Sequence, residues 1–137
     1  IFVGEMRENR NMLTTDAVAR LMHSIVGGVA VSSDRAGQMM QLLRRDLNLA
    51  KVTPPPGEEN QLNGFLGAGL PPGSQIWSKA GWASQSRHDA AYIELPDRQP
   101  YLLIIFTEGT TNSQNRDILP FISTQFVTAM SQVETSN

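Results

Sequence analysis

The sequence predicts an α+β fold: helices first, then a three-stranded antiparallel meander, then a covering C-terminal helix. Three observations predict it. Residues 14–47 carry apolar side chains at helical spacing in two separate runs. Residues 75–107 hold three strand-like runs joined by links too short for a crossover. A last run with helical spacing follows residue 115. The 137 residues suit one domain, read as a loop over 1–13, a helical part over 14–70, and the sheet with its closing helix over 71–137.

The opening is polar, with Arg7, Glu8, Asn9, Arg10 and Asn11 in succession, and reads as a loop. The first helix takes Thr14 or Thr15 as its N-cap and places Asp16 in its first turn, where the helix dipole favours an acid. Val18, Leu21, Met22 and Ile25 form its apolar stripe, and Gly27-Gly28 ends it. A second helix starts at Ser32 or Ser33, with Ala36, Met40, Leu43 and Leu47 inside and Arg35, Arg44 and Arg45 outside. Thr53-Pro54-Pro55-Pro56-Gly57 then breaks the chain, because proline lacks an amide donor and restricts its predecessor. A short helix is read around Glu59 to Leu66, with Leu62, Phe65 and Leu66 inward.

Pro71-Pro72-Gly73 leads into a strand over Gln75 to Trp82. The next strand runs from Arg87 to Leu95, with its return through Pro96 to Pro100. Tyr101 to Thr107 is apolar on both faces and must be covered on both. Glu108 to Gln114 reads as a polar loop. The final helix begins near Asn115 to Asp117, tolerates Pro120 only in its first turn, and turns Ile118, Ile122, Phe126, Ala129 and Val133 inward.

Composition excludes several function classes. With 40% hydrophobic and 18% charged residues the chain has the balance of a globular domain rather than a disordered one. A formal charge of −2, with no local Lys/Arg run, offers no footprint for nucleic acid. No apolar run approaches the roughly 18–20 residues of a membrane span. There is no cysteine, so thiolate chemistry and disulfides are out. His23 and His88 stand far apart without paired acids, and neither a metal nor a cofactor is expected. His88 and Asp89 are neighbours on a strand, so they face opposite ways and do not form a dyad. Ile1 is not an initiator, and the chain is expected to be a truncated or processed piece.

The informative stretch is Gln75-Ile76-Trp77-Ser78-Lys79-Ala80-Gly81-Trp82: a strand presenting a lysine and then a glycine. Lys79-Ala80-Gly81 resembles the Lys-Thr-Gly or Lys-Ser-Gly element of serine β-lactamases and penicillin-binding proteins. Thr14-Thr15-Asp16-Ala17-Val18-Ala19-Arg20-Leu21 resembles the helix after the Ω loop of class A β-lactamases. Leu62 to Pro72 resembles the approach to their active-site strand, Arg87-His88-Asp89-Ala90-Ala91 the adjacent strand, and the ending their C-terminal helix. Glu5-Met6-Arg7-Glu8-Asn9 partly echoes the Glu-x-x-Leu-Asn segment of the deacylating base, although a solvated loop explains it as well.

The resemblance covers nearly all of this chain and about half of such an enzyme, so it implies an incomplete β-lactamase/transpeptidase-like fold. It implies that Lys79 is an electrostatic and proton-transfer partner and that Trp82 contributes its main-chain N–H to an oxyanion hole. Gly81 would let a substrate backbone lie against the strand, and Ala80 stands where the family has a carboxylate-binding hydroxyl. Arg87 is read either as a partner for the substrate carboxylate or as a surface arginine. No Ser-x-x-Lys occurs in the chain, and no Ser-x-Asn precedes the strand, so the nucleophile is expected in a missing N-terminal half and this piece alone is expected to be inert.

The substrate implied is a β-lactam or a peptidoglycan-like compound, and the compartment is periplasmic or extracellular. The alternatives are a penicillin-binding-type peptidase or esterase, or a non-catalytic binding relative. Self-association through the exposed face of the first helix is a further open expectation.

Overall fold

The computed structural model describes residues 13–56, 60–96 and 98–134. The echo of a base segment at Glu5–Asn9 therefore lies outside the described residues. The architecture is α+β, with a four-stranded antiparallel sheet between helical layers.

Helix α1, Thr15–Val26, starts where the Thr14 hydroxyl accepts from the Ala17 amide. It stops at Gly27 and Gly28, of which only Gly28 takes the left-handed conformation, at φ +74°. Its buried face is narrower than the periodicity predicts: Met22 and Ile25 are buried, whereas Leu21 is 56% exposed. Helix α2, Ser33–Leu43, is capped by the Ser32 hydroxyl.

The second helix does not continue to Leu47. Arg44 turns extended, and Arg44 and Arg45 form a two-residue strand, β1, on Trp77 and Ile76. Arg45 consequently lies half-buried rather than outside, with its Nη2 donating to the Ser78 carbonyl at 2.8 Å. Leu47 packs on the core from a following 3-10 turn, Leu47–Lys51.

No α-helix forms over residues 60–66. The Asn60 carboxamide accepts from the amides of Leu62 and Asn63 and donates to the carbonyls of Leu49 and Val52, so the side chain takes over bonds a helix would make. Gly64, at φ +82°, bends the chain away. Leu62, Phe65 and Leu66 are nevertheless buried, as the apolar pattern requires, and a 3-10 turn runs over Leu66–Gly69.

The meander follows as β2 (Gln75–Ala83), β3 (Ser86–Glu94) and β4 (Tyr101–Phe106), in the spatial order β1-β2-β3-β4. Nine residue pairs join β2 and β3, from Gln75↔Glu94 to Ala83↔Ser86. Strand alternation divides two cores. On one face Tyr92 and Leu102 meet Met22 and Ile25 of α1, with Met40 and Leu43 of α2 alongside. On the other, Ile76, Ala80, Ala91 and Ile93 meet Phe65, Leu66 and the C-terminal helix. β4 is covered on both faces, as its continuous apolar run predicts.

The segment read as a polar loop after β4 contains a short helix, α3, Thr110–Gln114. It is held from outside its own sequence: the Ser113 hydroxyl donates to the Ser84 carbonyl and the Gly109 amide to the Gln85 carbonyl, docking it on the β2–β3 turn. Helix α4, Ile118–Glu134, keeps Pro120 in its first turn. Its inward face is turned about one residue from the predicted one. Leu119 and Ser123 are fully buried, Ile118 and Val127 pack on the core and Ile122 is half-buried, while Phe126 and Ala129 are exposed; the Val133 side chain lies outside the described residues. The reason is close approach: a Cβ on Gly69 would come within 2.3 Å of the Pro120 carbonyl oxygen and 2.9 Å of Ser123 Cβ, so the small residues decide which face sits down. Phe126 instead leans on Tyr101, at 5.0 Å between rings.

Candidate active-site edge

The outer edge of β2 is only half covered, since β1 pairs with Ile76 and Trp77 and no described strand continues beyond them. Amides in an antiparallel strand alternate between its two neighbours. The Ser78 carbonyl is taken by Arg45 and the Ala80 carbonyl by Lys79 Nζ, both approaching from outside the β2–β3 pair. By the same alternation the main-chain N–H and C=O of Trp82 point outward.

Lys79, Ala80, Gly81 and Trp82 are thus brought together on one bare edge. Lys79 is exposed and curls along the edge. Gly81 has open space where a Cβ would stand, with nothing within 4 Å. Ala80 points into the α4-side core and is fully buried. The Trp82 indole is 44% exposed and tilts against the Phe65 ring at 6.0 Å.

Arg87 pairs in register with Trp82 but is no surface arginine. It is 5% exposed, with its guanidinium 4.7 Å from the Phe65 ring centroid. Its Nε donates to the Ser113 carbonyl at 2.9 Å and its Nη1 reaches the Gly64 carbonyl at 3.5 Å. Phe65 thus contacts both Arg87 and Trp82, a cation on one side and an indole on the other.

His88 and Asp89 face opposite ways, as strand geometry demands. His88 accepts from the Thr107 amide at Nδ1 and packs on Phe106 at 4.7 Å. His23 is exposed on α1.

Asp89, weighed in the sequence only as a partner for His88, is the functional-looking residue that sequence reasoning gave no role. It is 1% exposed, and Oδ2 accepts from the Leu66 amide at 3.1 Å. Burial pushes its carboxyl up to about 6, against the amides of Leu66 and Ala90 and the charges of Arg45 and Lys79, which pull the other way. The available signal was phase: Asp89 falls in step with Ala91 and Ile93, the inward series of β3.

Among the described residues no group of three His, Cys, Asp or Glu could hold a metal ion. A groove of about 1010 Å³ lies between β1 with its following turn and the Gly67–Gln75 loop, but Lys79, Gly81 and Trp82 do not line it. The candidate residues lie on the edge instead. An ammonium, an outward amide and a bare glycine suit an extended acyl or peptide group laid along a strand, with charge stabilised at its carbonyl.

A profile of the beta-lactamase enzyme family matches residues 2–129. No curated protein sequence matches the chain. Among solved structures, PBP-A aligns at TM-score 0.67 and 23% identity over 85% of this chain and 39% of its own. A beta-lactamase from Sphaerobacter thermophilus DSM 20745 aligns at TM-score 0.69 and 20% identity over 93% of this chain and 44% of its own. One from Francisella tularensis gives 0.64 and 15%, over 90% and 43%. The chain therefore spans less than half the length of these proteins, and at these identities the likeness is one of fold.

Proposed function

The chain belongs to the beta-lactamase enzyme family, and from that premise we propose that it supplies one wall of the active site of a serine hydrolase working through an acyl-serine intermediate. The observation that carries the reading is the bare β2 edge, where the outward Trp82 amide stands three residues from Lys79 and next to the open Gly81.

A serine oxygen from sequence outside this chain bonds to the substrate carbonyl carbon. The C–N bond, or C–O bond in an ester, breaks, and the leaving atom takes up a proton. Water later releases the acyl group. The Trp82 amide donates to the developing oxyanion, and Lys79 lowers the cost of the negative charge and assists proton transfer. Gly81 leaves room for the substrate backbone. Without a nucleophile this chain alone is inert. The substrate class is a β-lactam or a peptidoglycan-like amide, and the compartment is periplasmic or extracellular. No described helix is long and apolar enough to cross a membrane.

Ala80 favours a second reading. The resembled family carries a carboxylate-binding hydroxyl here, whereas Ala80 is buried and offers none; loss of such a bond costs about 1.5–3 kcal/mol, or roughly ten- to a hundredfold in affinity. A penicillin-binding-type peptidase or esterase tolerates that loss better than an efficient β-lactamase.

The test uses the whole protein with a fluorescent penicillin and with nitrocefin. Acylation with turnover supports a β-lactamase, and acylation without turnover supports the peptidase. Lys79→Ala should slow acylation on the order of a hundredfold with unchanged thermal stability. Failure of the wild-type protein in both assays leaves a binding relative, and an unchanged rate in the Lys79 variant removes the role assigned to that residue.

A further inference from the structure

Asp89 has a buried charge-bearing group that the proposed reaction does not use. It sits beneath the edge on the α4 face, one strand in from Ala80, its register partner. Its Oδ2 accepts from the amide of Leu66, 23 residues back in the chain. That amide belongs to the bend where extended Phe65 enters the 3-10 turn Leu66–Gly69. The Phe65 ring is fully buried and touches both Trp82 and Arg87.

We propose that Asp89 is a positioning residue for the β2 edge: by holding the Phe65–Leu66 bend it fixes the aromatic ring that orients Trp82 and Arg87. The consequence for catalysis rests on the reading of the edge given above, but the positioning does not.

The geometry also makes the device sensitive to protons. Asp89 Oδ1 is buried, and among the described residues neither it nor Ser78 Oγ, also buried, has a partner. The two residues are diagonal neighbours on the same face, since Ser78 pairs with Ala91. The charges acting on Asp89 are Arg45 from β1 and Lys79 from β2, the latter on the opposite face of the sheet, and on its own face Arg87 stands two residues along β3. The inward residues of α4, Leu119 and Ser123, carry no charge. Ionisation of Asp89 places a charge with one satisfied oxygen under the bend, and protonation removes it.

The experiment uses this chain with Trp77→Phe, so that Trp82 is the sole indole, and reads its emission maximum and its quenching by acrylamide. Asp89→Ala should shift emission to the red and raise quenching severalfold. Asp89→Asn, which still accepts from the Leu66 amide, should restore both. Between about pH 4 and pH 8 the Trp82 signal of the Asp89 protein should show a transition that Asp89→Asn lacks.

A folded Asp89→Ala protein with unmoved Trp82 signals overturns the proposal, as does Asp89→Asn behaving like Asp89→Ala. If Asp89→Ala fails to fold, the titration decides: a flat signal in the Asp89 protein overturns the proposal. Should the whole protein fail to be acylated while Trp82 still responds as described, the serine-hydrolase reading falls and the positioning role stands.

Discussion

Asp89 also sets a stability slope opposite to that of most acids. Its folded value, about 6, lies above the ordinary 3.8 because burial penalises the charge. A raised folded value means that its contribution to stability is complete below about pH 4 and is lost as pH rises through about 6. The difference of roughly two units corresponds to about 3 kcal/mol. Asp89→Asn should therefore gain stability relative to the parent above pH 6 and lose that advantage near pH 4, as urea denaturation at the two pH values would read. That Lys79, Ala80, Gly81 and Trp82 lie together on one strand was legible in the sequence because they are consecutive. Arg87 and Asp89 were not. Their partners, Ser113 and Leu66, lie 26 and 23 residues away, and no local pattern announces such a bond.

Elements were read well where local chemistry agrees with packing and poorly where a distant segment overrides it. Thr14 and Ser32 cap their helices as their side chains predict. Helix α2 is cut short because β2 offers Arg44 and Arg45 a strand partner, and α3 exists because the β2–β3 turn offers it carbonyls. Helix α4 keeps Ile118 on the core as predicted but centres its buried face on Leu119 and Ser123. Its alternative apolar stripe is nearly as good, and Gly69 decides between them. Gly69→Ala should push α4 from the 3-10 turn and cost about 1–3 kcal/mol, measured by urea or thermal unfolding. Gly81→Ala, with open space around the new methyl, should stay within about 1 kcal/mol of the parent. Leu119→Ala, which empties the buried side of α4, should cost about 2–5 kcal/mol.

On the scale of the whole molecule, the α+β order and the meander were visible from link lengths and apolar runs, and the added strand β1 was not, because two arginines carry no strand signal. Two cores share one sheet, so each helix layer is held through the strands and not by the other layer. Leu21, Val29 and Val31 remain exposed at or just beyond α1. The opposite margin is β4. Arg87 turns both its amide N–H and its carbonyl toward Thr107 beyond β4, so Tyr101, Leu103 and Ile105 bond inward to β3 and the amides of Leu102, Ile104 and Phe106 face outward. In deuterated water this strand should write a two-beat record: slow exchange at 101, 103 and 105, fast exchange at 102, 104 and 106. Any strand that comes to lie against that margin would silence the fast beat while leaving the slow one as it was, so six amides report whether the sheet has been extended.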